Sequence, residues 1–214
     1  MSLRCTCHRR VTALSLTGID VLLPVQALRV GSDCSGLESF LLALQSLGVP
    51  YTHMFSSDIE AHCRETLREN YGDNFVIYED ATKRQVETMA PVDVYHAGFP
   101  CQPYSLQGCH GGLEDARSLP VLTAIFKYIS YHKPRLVLLE NVKGLVVSHQ
   151  DVLDMILKKL HGFGCDVHWR VLNAKDYGVV PLKTFSIKSK CQVNQASGWN
   201  LSRERHQRTP IRIR

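Results

Sequence analysis

The chain has 214 residues, enough for one globular domain with a proper core, or a domain and a tail, and tight for two domains. Hydrophobic residues at 44% and charged residues at 21% exclude a chain disordered over most of its length and a collagen-like one. The formal charge of +5 does not mark a nucleic-acid surface, because residues 182–214 hold eight Lys and Arg against one acid, leaving seventeen against nineteen before them.

Apolar β-rich runs and helical periodicities alternate from residue 28 to about 172. Leu28-Arg29-Val30 reads as a short buried strand, and Leu37, Phe40, Leu41, Leu44 and Leu47 then repeat at helical spacing until Gly48 stops the helix. Tyr51 to Ser56 is expected as a strand, Ala61 to Asn70 as a helix, and Phe75 to Tyr78 and Val92 to His96 as strands. Pro120 suits the start of a helix with the apolar face Leu122, Ile125, Phe126 and Ile129. Leu136-Val137-Leu138-Leu139 is an unbroken apolar run, expected of a strand covered on both faces. Leu153, Ile156, Leu157 and Leu160 make another amphipathic helix, and Val167 to Val171 a last strand. The alternation implies an α/β fold with a Rossmann-like, doubly wound, mostly parallel sheet. Residues 1–27 are then an N-terminal extension, 28–181 the domain, and 182–214 a basic tail expected to be disordered.

The eight cysteines, at 5, 7, 34, 63, 101, 109, 165 and 191, form no C-x-x-C pair and have no zinc-like His spacing, so no metal is expected. Reduced thiols in an intracellular compartment are the expectation. No stretch approaches the ~20 uninterrupted apolar residues of a membrane span; Val11 to Val30 is broken by Asp20, Pro24 and Arg29. Arg4, Arg9 and Arg10 with no acid in the first nineteen residues fit an organelle presequence weakly and a frayed terminus better.

In such a sheet, ligands bind where strands end. The residues there are Gly31-Ser32-Asp33-Cys34-Ser35-Gly36, Asp58-Ile59-Glu60, Asp80, Gly98-Phe99-Pro100-Cys101-Gln102-Pro103 and Glu140-Asn141-Val142. Leu37 stands where a phosphate loop needs Lys, and G-x-G-x-x-G is absent, which removes the main support for nucleotide hydrolysis and hydride transfer. Asp58 and Asp80 each read as a ribose or base ligand or as a helix cap. Pro100 and Pro103 frame Cys101 rigidly and present its sulfur at a cleft instead of in a core. Gln107 to Gly112 is a glycine-rich stretch able to close over a substrate. Glu140 ends an apolar strand, where a carboxylate is costly unless functional or paired, here with Arg135 or Lys143.

Gly98-Phe99-Pro100-Cys101-Gln102-Pro103-Tyr104-Ser105, then Gly112-Leu113-Glu114-Asp115-Ala116-Arg117-Ser118, then Glu140-Asn141-Val142-Lys143-Gly144, resemble the ordered motifs of the DNA (cytosine-5) methyltransferases. The resemblance covers roughly residues 28 to 181. It implies the S-adenosylmethionine-dependent methyltransferase fold, S-adenosyl-L-methionine as cofactor, and Asp33, Cys34, Ser35, Gly36 and Gly98 in its site. Asp58 would then hold the ribose, Ile59 lie against the adenine face and Asp80 near the adenine amino group. Cys101 would add to carbon 6 of a flipped cytosine, and Glu140 would stabilise charge at N3, with Pro100 and Asn141 belonging to the same catalytic motifs. The implied partner is DNA, or a structured RNA in the tRNA-methylating branch, and the chain is expected to act as a monomer, in the nucleus if the source is eukaryotic.

The sequence also departs from the family pattern. Cys34, Glu38 and Ser39 replace the aromatic and the glycines of the cofactor loop. Asp176 to Pro181 resembles the lead-in to a Gln-x-Arg-x-Arg motif, but Leu182-Lys183-Thr184 follows, with Arg203-Glu204-Arg205 a displaced echo. The target-recognition domain and returning C-terminal segment of the family are missing, so a truncated, inactive fragment or cofactor-binding module is the alternative expectation. A thiol hydrolase built on Cys101 ranks last, since the sequence places no His as its base.

Overall fold

The computed structural model describes residues 26–105, 115, 117–173 and the backbone of 183–191. Its strands are β1 (Leu28–Asp33), β2 (Tyr51–Ser57), β3 (Val76–Tyr78), β4 (Val94–Ala97), β5 (Leu136–Val142), β6 (Cys165–Asn173) and β7 (Lys183–Cys191). Its helices are α1 (Ser39–Ser46), α2 (Ala61–Tyr71), α3 (Leu119–His132), α4 (Gly144–Ser148) and α5 (Gln150–Gly162). The sheet order is β3-β2-β1-β4-β5-β7-β6; the first five strands run parallel, and β7 inserts antiparallel between β5 and β6. A parallel sheet fed by crossover helices is what the alternating pattern implies.

Strand periodicity assigns the two faces. Tyr95, Val137 and Leu139 point into the larger core, where Leu122, Ile125 and Ile129 of α3 and Val152, Leu153, Ile156 and Leu160 of α5 are buried. Val30, Val94, Leu41 and Leu44 form a smaller core under α1. Gly31 is required at the crossing: a Cβ there would sit 2.3 Å from the Phe55 ring. Two charged groups enter the larger core together. Asp33 accepts hydrogen bonds from Arg84, from the Tyr95 hydroxyl and from Ser57 Oγ (2.8 Å), while the Arg84 guanidinium lies 5.7 to 5.8 Å from the Phe55, Tyr78 and Tyr128 ring centroids.

Four expectations change. Residues 183–191, assigned to a disordered tail, are β7 and pair with β5 from Leu136↔Lys190 to Val142↔Thr184. Helix α1 begins at Ser39, because Glu38 adopts a left-handed φ of 57° that cannot continue a helix; Leu37 therefore turns outward, 62% exposed. β5 is not sealed equally on both faces, since Val137 and Leu139 are buried while Leu136 and Leu138 are half-buried. Cys165 is disulfide-bonded, where reduced thiols were expected; in the β6–β7 register its Cα lies opposite that of Cys191. Among the described residues, Cys34, Cys63 and Cys101 are free thiols, no group of His, Cys, Asp and Glu could hold a metal, and no helix is long and apolar enough to cross a membrane.

A candidate active site at the carboxyl ends of the strands

The parallel register brings the ends of β1, β2, β4 and β5 to one edge, and the loops leaving them carry most of the candidate residues. The loop after β1 is wound tightly: Cys34, Gly36 and Glu38 have φ of 51°, 52° and 57°. Two of these are not glycine, and such conformations cost about 1–3 kcal/mol each and cluster at functional sites. Hydrogen bonds hold the loop. Ser35 N donates to Ser57 O (3.0 Å), Glu38 N to Ser35 O (2.9 Å), and Gly36 N to Asp58 Oδ2 (2.8 Å).

Asp58 is thus placed beside Gly36, and its other oxygen accepts from Glu60 N at 3.0 Å. A carboxylate has about four lone-pair sites, so both oxygens can still accept from ligand hydroxyls. Ile59, next to it, is 69% exposed, an apolar face without a cover. A Cβ at Gly36 would meet nothing within 4 Å, so the space in front of the loop is open. These three residues fit a bound nucleoside. Asp33 does not join them: period-two alternation turns it into the larger core, where it is fully buried with its carboxylate taken by Arg84, Tyr95 and Ser57. Burial pushes the Cys34 thiol up, which keeps it neutral. Asp80 follows β3 in a local turn, accepting from Thr82 N (2.8 Å) and Oγ1 (2.7 Å) and pairing with Lys83 at 3.4 Å; bonds to Thr82 outweigh burial and hold its carboxyl below the usual range. A cleft of about 370 Å³ opens beside it, lined by Ala81, Thr82, Arg84, Leu119, Pro120 and Lys127 among others.

At the other end, Gly98 N donates to Asp33 O at 3.3 Å and so starts the Cys101 turn against β1. Cys101 is half-buried, and Tyr104 N donates back to its carbonyl at 2.9 Å. Asn141, buried at the end of β5, donates from Nδ2 to Phe99 O (3.0 Å) and weakly to Pro100 O (3.5 Å), while its Oδ1 accepts from Val142 N (2.8 Å). One amide therefore clips the turn bearing Cys101 to the strand bearing Glu140. Tyr104, fully buried, hydrogen-bonds Ser118 and packs edge-on against Phe99 and His149, which anchors the turn from below.

Glu140 is not paired with Arg135 or Lys143 as considered above; its Oε2 lies 3.7 Å from Nε2 of His96, which is 5% exposed. His96 holds the Glu140 carboxyl below the usual range, with burial opposing. Sequence reading missed His96, although a histidine inside an apolar strand two residues before Gly98 was a visible signal. Gln107 to Gly112, Glu114, Asp176 to Leu182 and Arg203 to Arg205 lie outside the described residues.

Sheet order, the strand-end loops and the clipped Cys101 turn define a Rossmann-like methyltransferase. The particular family is C-5 cytosine-specific DNA methylase, which matches residues 28–181; the chain belongs to it. Among its relatives, the type II methyltransferase M.NlaIV of Neisseria lactamica is 35% identical over 173 residues, covering 74% of this chain and 40% of that protein. M.HhaI of Haemophilus parahaemolyticus is 32% identical over 147 residues, covering 68% and 43%. The chain thus spans less than half the length of these relatives. Both are bacterial and lend nothing to a nuclear location. Among solved structures, the fold matches S. pombe Dnmt2 methyltransferase (TM-score 0.65, 18% identity, 81% of this chain and 52% of that one) and Entamoeba histolytica methyltransferase EhMeth (0.67, 16%, 85% and 58%).

Proposed function

We propose that this chain carries the catalytic portion of a DNA (cytosine-5) methyltransferase that acts as a monomer on a flipped cytosine. The observation that supports it most is the Asn141 clip, which ties the turn after β4 that bears the half-buried Cys101 thiol to the end of the strand carrying Glu140. Cytosine carbon 5 is a poor nucleophile. Addition of the Cys101 thiolate to carbon 6 turns the ring into an enamine, and Glu140 with a proton stabilises the charge at N3. A base inside a duplex reaches neither group, so it must be flipped out.

S-adenosylmethionine, when bound, supplies an electrophilic methyl group. Asp58 is suited to its ribose hydroxyls, Ile59 to its adenine face, and the open backbone at Gly36 with Gly98 to its close approach. Asp80 lines a second, shallower cleft with Tyr78, Glu79, Lys83 and Arg84, which would take the adenine edge. Residues 28–181 form the catalytic domain of this reading, and the described strand β7 completes its sheet beyond that boundary.

The test is a covalent adduct between the chain and 5-fluorocytosine-containing DNA in the presence of S-adenosylmethionine, resolved on a denaturing gel. The native chain is expected to form it and Cys101→Ala to form none. Equal behaviour of the two overturns the reading, and an adduct with fluorocytosine RNA alone moves the substrate to RNA.

A further inference from the structure

The face of the sheet under α1 changes character toward the carboxyl ends. Val30, Val94 and Leu136 are in register and apolar. One step on, Ser32 and His96 are in register, and Glu140 lies one step beyond Leu138 on the same face. His96 stacks on Phe40 with centroids 5.1 Å apart and planes at 17°. Among the described residues neither of its ring nitrogens has a hydrogen-bond partner, a costly state for an imidazole this deeply buried.

Two carboxylates face it. Glu140 from β5 stands at ion-pair distance, 3.7 Å, too far for a hydrogen bond. Glu38, from the start of α1, is buried and accepts from Ser32 Oγ and from Ser56 Oγ (2.7 Å), with Oε2 unpartnered. Burial raises Glu38 and favours its neutral form, against the bonds from Ser32 and Ser56 and the charge of His96. From β2, His53 reaches Ser56 Oγ at 2.8 Å; burial lowers it to about 4, so it adds no charge at neutral pH.

We propose that His96 is a positioning residue of the methyl-transfer site, holding the Glu140 carboxylate beside the Cys101 turn and replenishing the proton that Glu140 passes to the substrate ring. The proposal rests on the reading of Cys101 and Glu140 given above. An ionised Glu140 has no proton of its own to give, and an imidazole 3.7 Å away is placed to supply one when it is protonated. As the Cys101 sulfur bonds to carbon 6, a protonated His96 imidazole passes its Nε2 proton to the Glu140 carboxylate, and the Glu140 carboxyl so formed passes a proton to N3, leaving His96 neutral and Glu140 ionised. When carbon 5 has been methylated, its proton passes to solvent water acting as base, the bond to Cys101 breaks, sulfur leaves as thiolate, and the N3 proton returns through Glu140 to His96. In this relay one proton moves out and back, while the methyl donor is consumed and the carbon 5 proton goes to solvent.

The first test needs no turnover. The imidazole titration of His96 is followed by NMR in the 214-residue chain, its signal assigned by its loss in His96→Gln. Glu140→Gln is expected to lower that titration midpoint by about one unit, as removal of an opposite charge at this range does; an unchanged midpoint overturns the proposal. The second test compares adduct rates on fluorocytosine DNA across pH. His96→Gln is expected to slow the adduct at least tenfold with unchanged affinity for S-adenosylhomocysteine, and to remove the pH dependence of the native rate between pH 6 and 8. Equal rates or an unaltered profile overturn it. If the native chain forms no adduct, the Cys101 reading falls, while the NMR titration still decides whether the His96–Glu140 pair exists.

Discussion

Replacing Arg84 by Met tests how the larger core tolerates a charge. The Arg84 side chain is 2% exposed and Asp33 is fully buried, so neither ion is relieved by water. In Arg84→Met the Asp33 carboxylate keeps only Tyr95 and Ser57 as donors and loses both guanidinium bonds together with the counter-charge. Leaving one member of a buried pair costs about 3–5 kcal/mol. Contacts of the guanidinium with the three surrounding rings add to the loss, each worth roughly 0.5–2 kcal/mol, while Met recovers part of that through its own packing. We expect about 4 kcal/mol, a large share of the 5–15 kcal/mol of an ordinary domain. With a urea slope of about 2 kcal/mol/M, the unfolding midpoint should fall by about 2 M. Adding Asp33→Asn removes the stranded charge and keeps acceptor and shape, so the double variant should regain about half of the loss. A single-variant loss under about 1 kcal/mol, or a double variant weaker than the single by the full cost of Asp33→Asn, refutes the ion pair as a structural element.

Two further predictions concern the strand ends. Asn141→Ala leaves the Phe99 carbonyl and Val142 amide without their partner, which should lower stability by about 1–3 kcal/mol and slow the Cys101 adduct at least tenfold; an unaltered adduct rate removes the clip from the mechanism. At the opposite end, Asp93 accepts from Arg29 N (2.9 Å), Nε (3.2 Å) and Nη2 (3.2 Å), and although burial works against ionisation these bonds hold its carboxyl below the usual range. A lowered folded value gives stability that is present above the ordinary carboxylate range near 4 and lost as pH falls through the folded value. Melting curves of the native chain and Asp93→Asn should therefore differ at pH 7 and converge toward pH 2.5; a gap constant with pH contradicts the assignment.

Local patterns carried the parallel half of the fold and the two site turns, while pairings across the sheet stayed hidden. Leu122, Ile125, Phe126 and Ile129 are buried on α3 as their spacing implies, and Cys101 follows β4 in a turn while Glu140 lies near the end of its neighbour β5. Residues 183–191 contain Phe185 and Ile187 among three lysines, which reads as a basic tail until β5 and β6 supply hydrogen-bond partners on both sides. Asp33 was assigned to the cofactor by the family resemblance of the loop it opens, but a strand reverses direction at every residue, so Ser32 and Asp33 serve opposite faces. The same rule joins His96 to Glu140: they are 44 positions apart and meet only through the β4–β5 register. That register also gives the departures in the β1 loop a physical reading. Where the family pattern has glycine, Glu38 folds its carboxylate beneath α1 onto Ser32 and Ser56, and places a buried acid behind a buried histidine that itself stands behind the candidate catalytic acid. A site that puts ionisable groups two deep behind Glu140 sets its proton inventory by burial and register, and the substitution in the loop and the histidine in the strand are best understood as parts of one polar layer.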